Sequence, residues 1–243
     1  MVKRALLTGV GQKYSQCISK IVTSGISQDF TALNLDQDLA KLSQRLSLDG
    51  DWNSIDHIDD DSNSPLPTKS NIISSINQIL NQQEKTDLFL FYFSGHGICA
   101  DVSDFFLVNY DENYFASQFL YDNTDGLISN NDYGQWISGF LNQNQNLIFI
   151  TVIDSCFAEG IIINLLPTDF QFKDRHIIFC SSNRFSSSFA SNSDGSSQFT
   201  SVLCNTNTSV TYEEQMTDIK NNLQNPLPVI IIPLNIINQQ TNI

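Results

Sequence analysis

Basic residues are scarce in this chain. Its 243 residues include 12 Lys and Arg against 26 Asp and Glu, which gives a net charge of −14. A protein that binds nucleic acid or an anionic lipid surface needs a face rich in Lys and Arg, because these cations neutralise the partner's phosphates. The few cations of this chain are spread along its length, so we expect no nucleic-acid partner and no membrane partner.

Long apolar runs and paired cysteines are also missing. No run reaches the roughly 20 apolar residues that a membrane-spanning helix requires. The five cysteines include no CxxC pair, and neither they nor the three histidines have the spacing of a zinc site. A small, odd set of cysteines is typical of reduced thiols. We therefore expect a cytoplasmic protein with no disulfide framework and no metal site.

Apolar segments of strand type and helix type alternate along the chain. Residues 87–93 (DLFLFYF) and 147–153 (LIFITVI) are continuous apolar runs, which is the pattern of strands covered on both faces. Further strands are predicted at 5–10, near 55–58, at 177–180 and at 229–232, and helices at 35–46, 68–80, 133–141 and 211–223. This alternation predicts one α/β domain over residues 1–243, with a mostly parallel sheet between helices.

A histidine and a cysteine directly follow the two apolar runs. Residues 94–97 (SGHG) come after the first run and residues 154–156 (DSC) after the second. Parallel strands end at the same edge of a sheet, where α/β proteins bind ligands, so we expect both side chains in one cleft. Taken alone, His96 fits a loop histidine beside turn glycines, and Cys156 fits a small buried hydrophobe. Together they predict a Cys–His pair for nucleophilic acyl transfer.

The order of these motifs resembles that of the caspase-like cysteine peptidases. The aspartate before the cysteine makes the chain most similar to metacaspases and their bacterial relatives. The first strand, the helix that carries Asp38 and Leu39, and residues 197–203 also resemble segments of that family. The resemblance implies a caspase-like three-layer sandwich with a mostly parallel six-stranded sheet. It further implies a large-subunit-like part at about 1–166, a connector at about 167–175 and a small-subunit-like part at about 176–243.

Two segments depart from the family pattern. Residues 157–160 (FAEG) follow the cysteine where metacaspases usually continue with HSG, and residues 181–185 (SSNRF) replace a usual Ala/Glu pattern. The whole stretch 181–197 is rich in serine and is predicted to be one mobile loop. These departures leave the preferences of individual subsites open.

The resemblance supports specific roles for the two motifs. Cys156 is expected to be the nucleophile and His96 its general acid and base. The backbone N–H groups of Gly97 and Cys156 are the expected oxyanion donors. These roles predict a cysteine endopeptidase that works through a thioester acyl-enzyme. The alternatives are a catalytically silent caspase-like regulator or scaffold and, less favoured, a small-molecule thiol hydrolase on the same fold.

Two aspartates are predicted to line the pocket for the residue before the scissile bond. Asp154 lies two residues before Cys156, and alternation along a strand points both the same way. Asp38 is assigned by resemblance alone, and an acid favoured by the helix macrodipole is an equally good interpretation of it. Together the carboxylates predict cleavage after Arg or Lys.

The connector carries two basic residues, Lys173 and Arg175. Related enzymes are often cut in this segment, so we predict self-cleavage after one of them, with an ordinary solvated loop as the alternative. No cofactor is expected as a requirement, and activation by Ca²⁺ stays open. The expected partners are protein or peptide substrates, besides a regulator or activator that the sequence does not identify.

Overall fold

The computed structural model describes residues 1–11, 35–60, 65–101, 104–108, 127–165, 174–186, 188, 195–205, 211–223 and 228–233. Within these residues lie nine strands: β1 (Lys3–Gly9), β2 (Ser54–Asp59), β3 (Leu88–Ser94), β4 (Gly97–Asp101), β5 (Asp104–Val108), β6 (Leu127–Ser129), β7 (Ile148–Asp154), β8 (His176–Cys180) and β9 (Val229–Ile231). The same residues form six α-helices: α1 (Asp36–Asp49), α2 (Lys69–Leu80), α3 (Asn130–Gln143), α4 (Ala158–Ile161), α5 (Gln198–Asn205) and α6 (Tyr212–Asn222). None of these helices has the length and apolar character needed to cross a membrane.

Six strands form the main sheet, in the order β2-β1-β3-β7-β8-β9. The first five pair in parallel, and β9 runs antiparallel to β8. All seven residues of β1 and all seven of β3 are buried, because both faces of the sheet are covered. The predicted six-stranded, mostly parallel sheet is confirmed.

Helices cover each face of the sheet over a separate apolar core. Alternation along β3 directs Leu90 and Tyr92 to the face covered by α1, α5 and α6. The same alternation directs Phe89 and Phe91 to the opposite face, where they join a core with α2 and α3. The molecule therefore has the three layers that the sequence predicts.

Local signals set the predicted helix ends. Thr68 caps α2 by accepting the N–H of Asn71 at 3.1 Å. Thr211 caps α6 in a reciprocal capping box with Glu214, as predicted from the sequence. Helix α1 stops at Gly50, whose φ of 73° is left-handed and therefore suits glycine.

The sequence patterns do not predict the second sheet. Strands β4, β5 and β6 form a small antiparallel sheet within residues 97–129, where short apolar runs such as 105–108 (FFLV) are interrupted by polar residues. Strand β6 leads directly into α3, whose cap is a second reciprocal box between Ser129 and Asp132. Because β4 begins at Gly97, this sheet starts beside the predicted catalytic histidine, at the carboxyl edge of the main sheet.

Candidate active site

The ends of β3 and β7 bring the two predicted catalytic segments side by side. The strands pair in parallel with Ser94 opposite Asp154, and the N–H of Gly95 donates to the Asp154 carbonyl at 3.2 Å. His96 and Cys156 each lie two residues beyond this pair. Both therefore leave the sheet at the same edge, which is the location that the sequence predicts.

Close contact between the two segments explains the glycine at position 97. A Cβ added to Gly97 would lie 2.0 Å from the carbonyl oxygen of Cys156 and 3.0 Å from Ser155 Oγ. A separation of 2.0 Å is far inside van der Waals contact, so any side chain here would force the segments apart. The neighbouring His96 is 7% exposed, and Cys156 is a free, partly exposed cysteine.

The chain turns sharply directly after Cys156. Phe157 adopts φ 55° and ψ 28°, the left-handed conformation that side chains rarely take. Its N–H donates to the Ser186 carbonyl at 2.9 Å, and the N–H of Ala158 donates to Ser182 Oγ at 3.1 Å. The turn is thus held by residues that follow β8.

Serine hydroxyls from the same segment hold the backbone of Ser155. Ser181 Oγ accepts the Ser155 N–H at 3.1 Å and donates to the Ser155 carbonyl at 3.1 Å. Ser182 Oγ donates to that carbonyl at 2.9 Å. Residues 181–186, the first part of the predicted mobile loop, are therefore bonded to the end of β7.

Asp38 and Asp154 lie together at the start of α5 and are 1% and 4% exposed. Ser197 contacts both, since its N–H donates to Asp38 Oδ1 at 2.7 Å and its hydroxyl donates to Asp154 Oδ2. Thr200 Oγ1 donates to the same Asp154 oxygen at 2.8 Å. Ser94 Oγ donates to Asp38 Oδ2 at 3.1 Å. We call Asp38 and Asp154 the acid pair.

Burial controls the protonation of the acid pair. It raises the pKa of Asp38 to about 7, and the charge of Asp154 adds to this effect. Burial also raises the pKa of Asp154, although hydroxyl donors oppose the rise. Lys41, one turn along α1, lowers the pKa of Asp38, and its ammonium group donates to Ser196 Oγ at 2.8 Å and to Ser201 Oγ at 2.9 Å.

Ser188 connects the predicted nucleophile with the acid pair. Its carbonyl oxygen lies 4.0 Å from Cys156 Sγ, and its hydroxyl donates to Asp154 Oδ1 at 3.3 Å. Ser188 therefore contacts both Asp154 and Cys156, and the role of the acid pair in a pocket beside the cysteine stays a prediction.

Of the two predicted cleavage sites, the structure describes Arg175, and Lys173 lies outside the described residues. The guanidinium of Arg175 donates to the carbonyl oxygens of Leu141 at 3.0 Å and Asn144 at 2.8 Å, at the end of α3. The Arg175 carbonyl accepts the N–H of Phe149 at 2.9 Å. Arg175 is therefore anchored to the fold through both its side chain and its backbone.

Among the residues that the structure describes, no group of three or more His, Cys, Asp or Glu side chains could hold a metal ion. Activation by Ca²⁺ stays open.

A three-layer α/β fold with SGHG and DSC segments at adjoining strand ends defines a caspase-like protein. The family described as "Metacaspase, peptidase C14 domain" matches residues 3–178, and the chain belongs to this family of cysteine-type peptidases. No curated protein matches the chain in a sequence comparison. The family match ends within β8, so helix α5 and its contacts with the acid pair lie outside the matched region.

Proposed function

We propose that the chain is a cysteine endopeptidase in which His96 and Cys156 form the catalytic dyad. The observation that carries this proposal is the parallel register of β3 and β7, which aligns Ser94 with Asp154 and so starts both segments at one level. The close approach of Gly97 to the Cys156 backbone supports it. The family supplies the reaction class.

In this mechanism Cys156 Sγ attacks the scissile carbonyl carbon while His96 takes the thiol proton. The tetrahedral intermediate collapses to a thioester as His96 returns the proton to the leaving amine. Water then attacks the thioester with His96 as base, which releases the acid product and the thiol. The N–H groups of Gly97 and Cys156 stabilise the oxyanion in both steps. Glycine at 97 leaves these two backbone segments in close contact, so a carbonyl oxygen can reach both donors.

We further propose that the acid pair binds the side chain of an Arg or Lys that precedes the scissile bond. Both carboxylates are buried, and their donors from Ser94, Ser197 and Thr200 are neutral groups. A cation that enters such a site favours the ionised carboxylates and gains an attractive interaction in a dehydrated environment, whereas an acidic side chain would meet like charge there. The bridge through Ser188 supports a location beside Cys156 Sγ.

Self-cleavage in the connector is a separate proposal. Cleavage after Arg175 would require its guanidinium to leave the carbonyls at the end of α3, so we favour Lys173. Intact mass spectrometry after incubation with Ca²⁺ should show two fragments from the parent chain and one species from Lys173→Ala. An active parent chain that stays whole would contradict self-cleavage.

Matched fluorogenic peptides with Arg, Lys or Asp before the scissile bond test the activity and its specificity. We expect cleavage of the Arg and Lys peptides, none by Cys156→Ala, and loss of Arg cleavage in Asp154→Ala. Cleavage of the Asp peptide in preference would overturn the assignment of the acid pair.

A peptidyl chloromethyl ketone separates an enzyme from a silent scaffold. We expect stoichiometric labelling that Cys156→Ala abolishes. Cys204→Ala is the control, because burial raises the pKa of the Cys204 thiol to about 12 and so keeps it a poor nucleophile. No labelling of Cys156 under any activating condition would favour the regulator or scaffold.

A further inference from the structure

Ser197 is the residue through which helix α5 contacts both members of the acid pair. We infer that Ser197 is a positioning residue for substrate selection, because it fixes Asp38 and Asp154 as one cation-binding unit at the start of α5. This inference rests on the proposed preference for Arg or Lys. It concerns a part of the chain beyond the family match at residues 3–178.

Hydrogen bonds of both its backbone and its hydroxyl fix the orientation of Ser197, which is 7% exposed. Its N–H donates to Asp38 Oδ1 at 2.7 Å, and its Oγ accepts the N–H of Thr200 at 2.9 Å, as an N-cap does. A hydroxyl has one proton to donate, and the cap bond uses Oγ as an acceptor. The hydroxyl donates its proton to Asp154 Oδ2.

The rest of α5 packs against the face of the main sheet that carries Tyr92. Phe199 and Leu203 are buried in the core with Tyr92 of β3. The hydroxyls of Tyr92 and Thr200 lie 2.7 Å apart, and Thr200 Oγ1 donates to Asp154 at 2.8 Å. The helix therefore presents Ser197 to the acid pair from a fixed position.

A proton and the cationic side chain of a substrate compete for the acid pair. Ionisable groups that interact with the pair include Lys41 on α1, Tyr92 on β3 and Cys204 on α5. The hydrogen bonds from Ser197 lower the pKa of both carboxylates and so oppose the effect of burial. Ser197 thus favours the doubly ionised pair that an Arg or Lys side chain would bind.

Ser197→Gly separates this role from helix capping, because glycine is tolerated at an N-cap but has no hydroxyl. For an Arg peptide, we expect KM to rise about tenfold, the effect of losing one hydrogen bond to a charged group, while kcat stays within about twofold. The midpoint of the rise of kcat/KM with pH should move to higher pH, since the pair holds its proton longer. Ser197→Thr keeps the hydroxyl and should restore both values.

Thr211→Ala is the matched control, because it removes an N-cap at α6 and leaves α5 intact. It should lower Tm and leave the pH midpoint unchanged. If Ser197→Gly does not fold, Ser197→Cys provides the same comparison with a weak donor of similar size. If Ser197→Gly or Ser197→Cys keeps the KM and the pH midpoint of the parent chain, the positioning role is refuted, and the proposed preference for Arg is not affected. A parent chain that does not prefer Arg or Lys refutes the proposed specificity itself.

Discussion

The charge on Asp38 makes the free energy of unfolding depend on pH. Burial raises the pKa of Asp38 from 3.8 to about 7, so the folded protein keeps a proton that the unfolded chain releases between these values. The stability that this proton provides is complete below pH 3.8 and is lost as the pH rises through about 7. At about 1.4 kcal/mol for each factor of ten in proton affinity, the loss amounts to about 4 kcal/mol at most.

The shifted pKa of His176 makes the free energy of unfolding change with pH in the opposite direction. Burial lowers its pKa from 6.5 to about 3, so the stability that depends on neutral His176 is present above pH 6.5 and is lost as the pH falls towards 3. The effects of Asp38 and His176 oppose each other where their pH ranges overlap. The pH profile of one protein therefore cannot isolate Asp38, but the difference between the parent chain and Asp38→Asn can.

Urea unfolding followed by tryptophan fluorescence measures this difference, with Cys156→Ala in each protein to prevent self-digestion. Between about pH 4 and about pH 8, Asp38→Asn should gain stability relative to its parent by up to about 4 kcal/mol. Asp218→Asn, at an exposed position of α6, controls for the change in net charge. A difference for Asp38→Asn that stays constant with pH would refute the reasoning.

Three further substitutions test the packing of the site and the core. Gly97→Ala should abolish peptide cleavage, because the new Cβ would lie 2.0 Å from a carbonyl oxygen, and an active variant would contradict that contact. Its control, Gly139→Ala, has nothing within 4 Å in α3. That control should keep its activity and gain about 0.5–1 kcal/mol of stability in urea unfolding. Arg175→Gln should lose about 1–3 kcal/mol in the same assay, because carbonyls at the end of α3 lose their donors, and unchanged stability would argue against this anchor. Tyr133→Phe should lower the free energy of unfolding by about 1–2 kcal/mol through loss of the 2.6 Å contact with Thr151, and a neutral result would contradict it.

The strands of the main sheet can be predicted because burial on both faces requires apolar residues at nearly every position. The runs at 87–93 and 147–153 correspond to the strands Leu88–Ser94 and Ile148–Asp154. The capping box at Thr211 is predictable for a similar reason, since its two bonds join residues only three positions apart. Both features can be predicted because they depend on residues that are close together in the chain.

The second sheet is harder to predict, because its apolar runs are short and only the pairing of β4 with β5 is local in the chain. Strand β5 has five residues and begins with Asp104, and β6 has only three residues. Pairing between β5 and β6 joins residues that are far apart in the chain, so it depends on the tertiary structure. No periodic pattern in the sequence indicates the pairing of β5 with β6.

The hydroxyl groups that donate to the acid pair could not be predicted from the sequence either. Ser188, Ser197 and Thr200 all donate to Asp154, but many other serines surround them in the chain and offer the same chemistry. His96 and Cys156 could be located because each lies three residues beyond the end of an apolar run. Their catalytic roles stay predictions.

The left-handed backbone at Phe157 determines which residues this position can accept. A residue with a side chain at φ 55° is destabilised by about 1–2 kcal/mol relative to an ordinary conformation, and β-branched residues suffer most. Glycine and asparagine enter this region readily. Variation at position 157 among natural sequences or in a mutant library should therefore follow backbone preference rather than side-chain size or hydrophobicity.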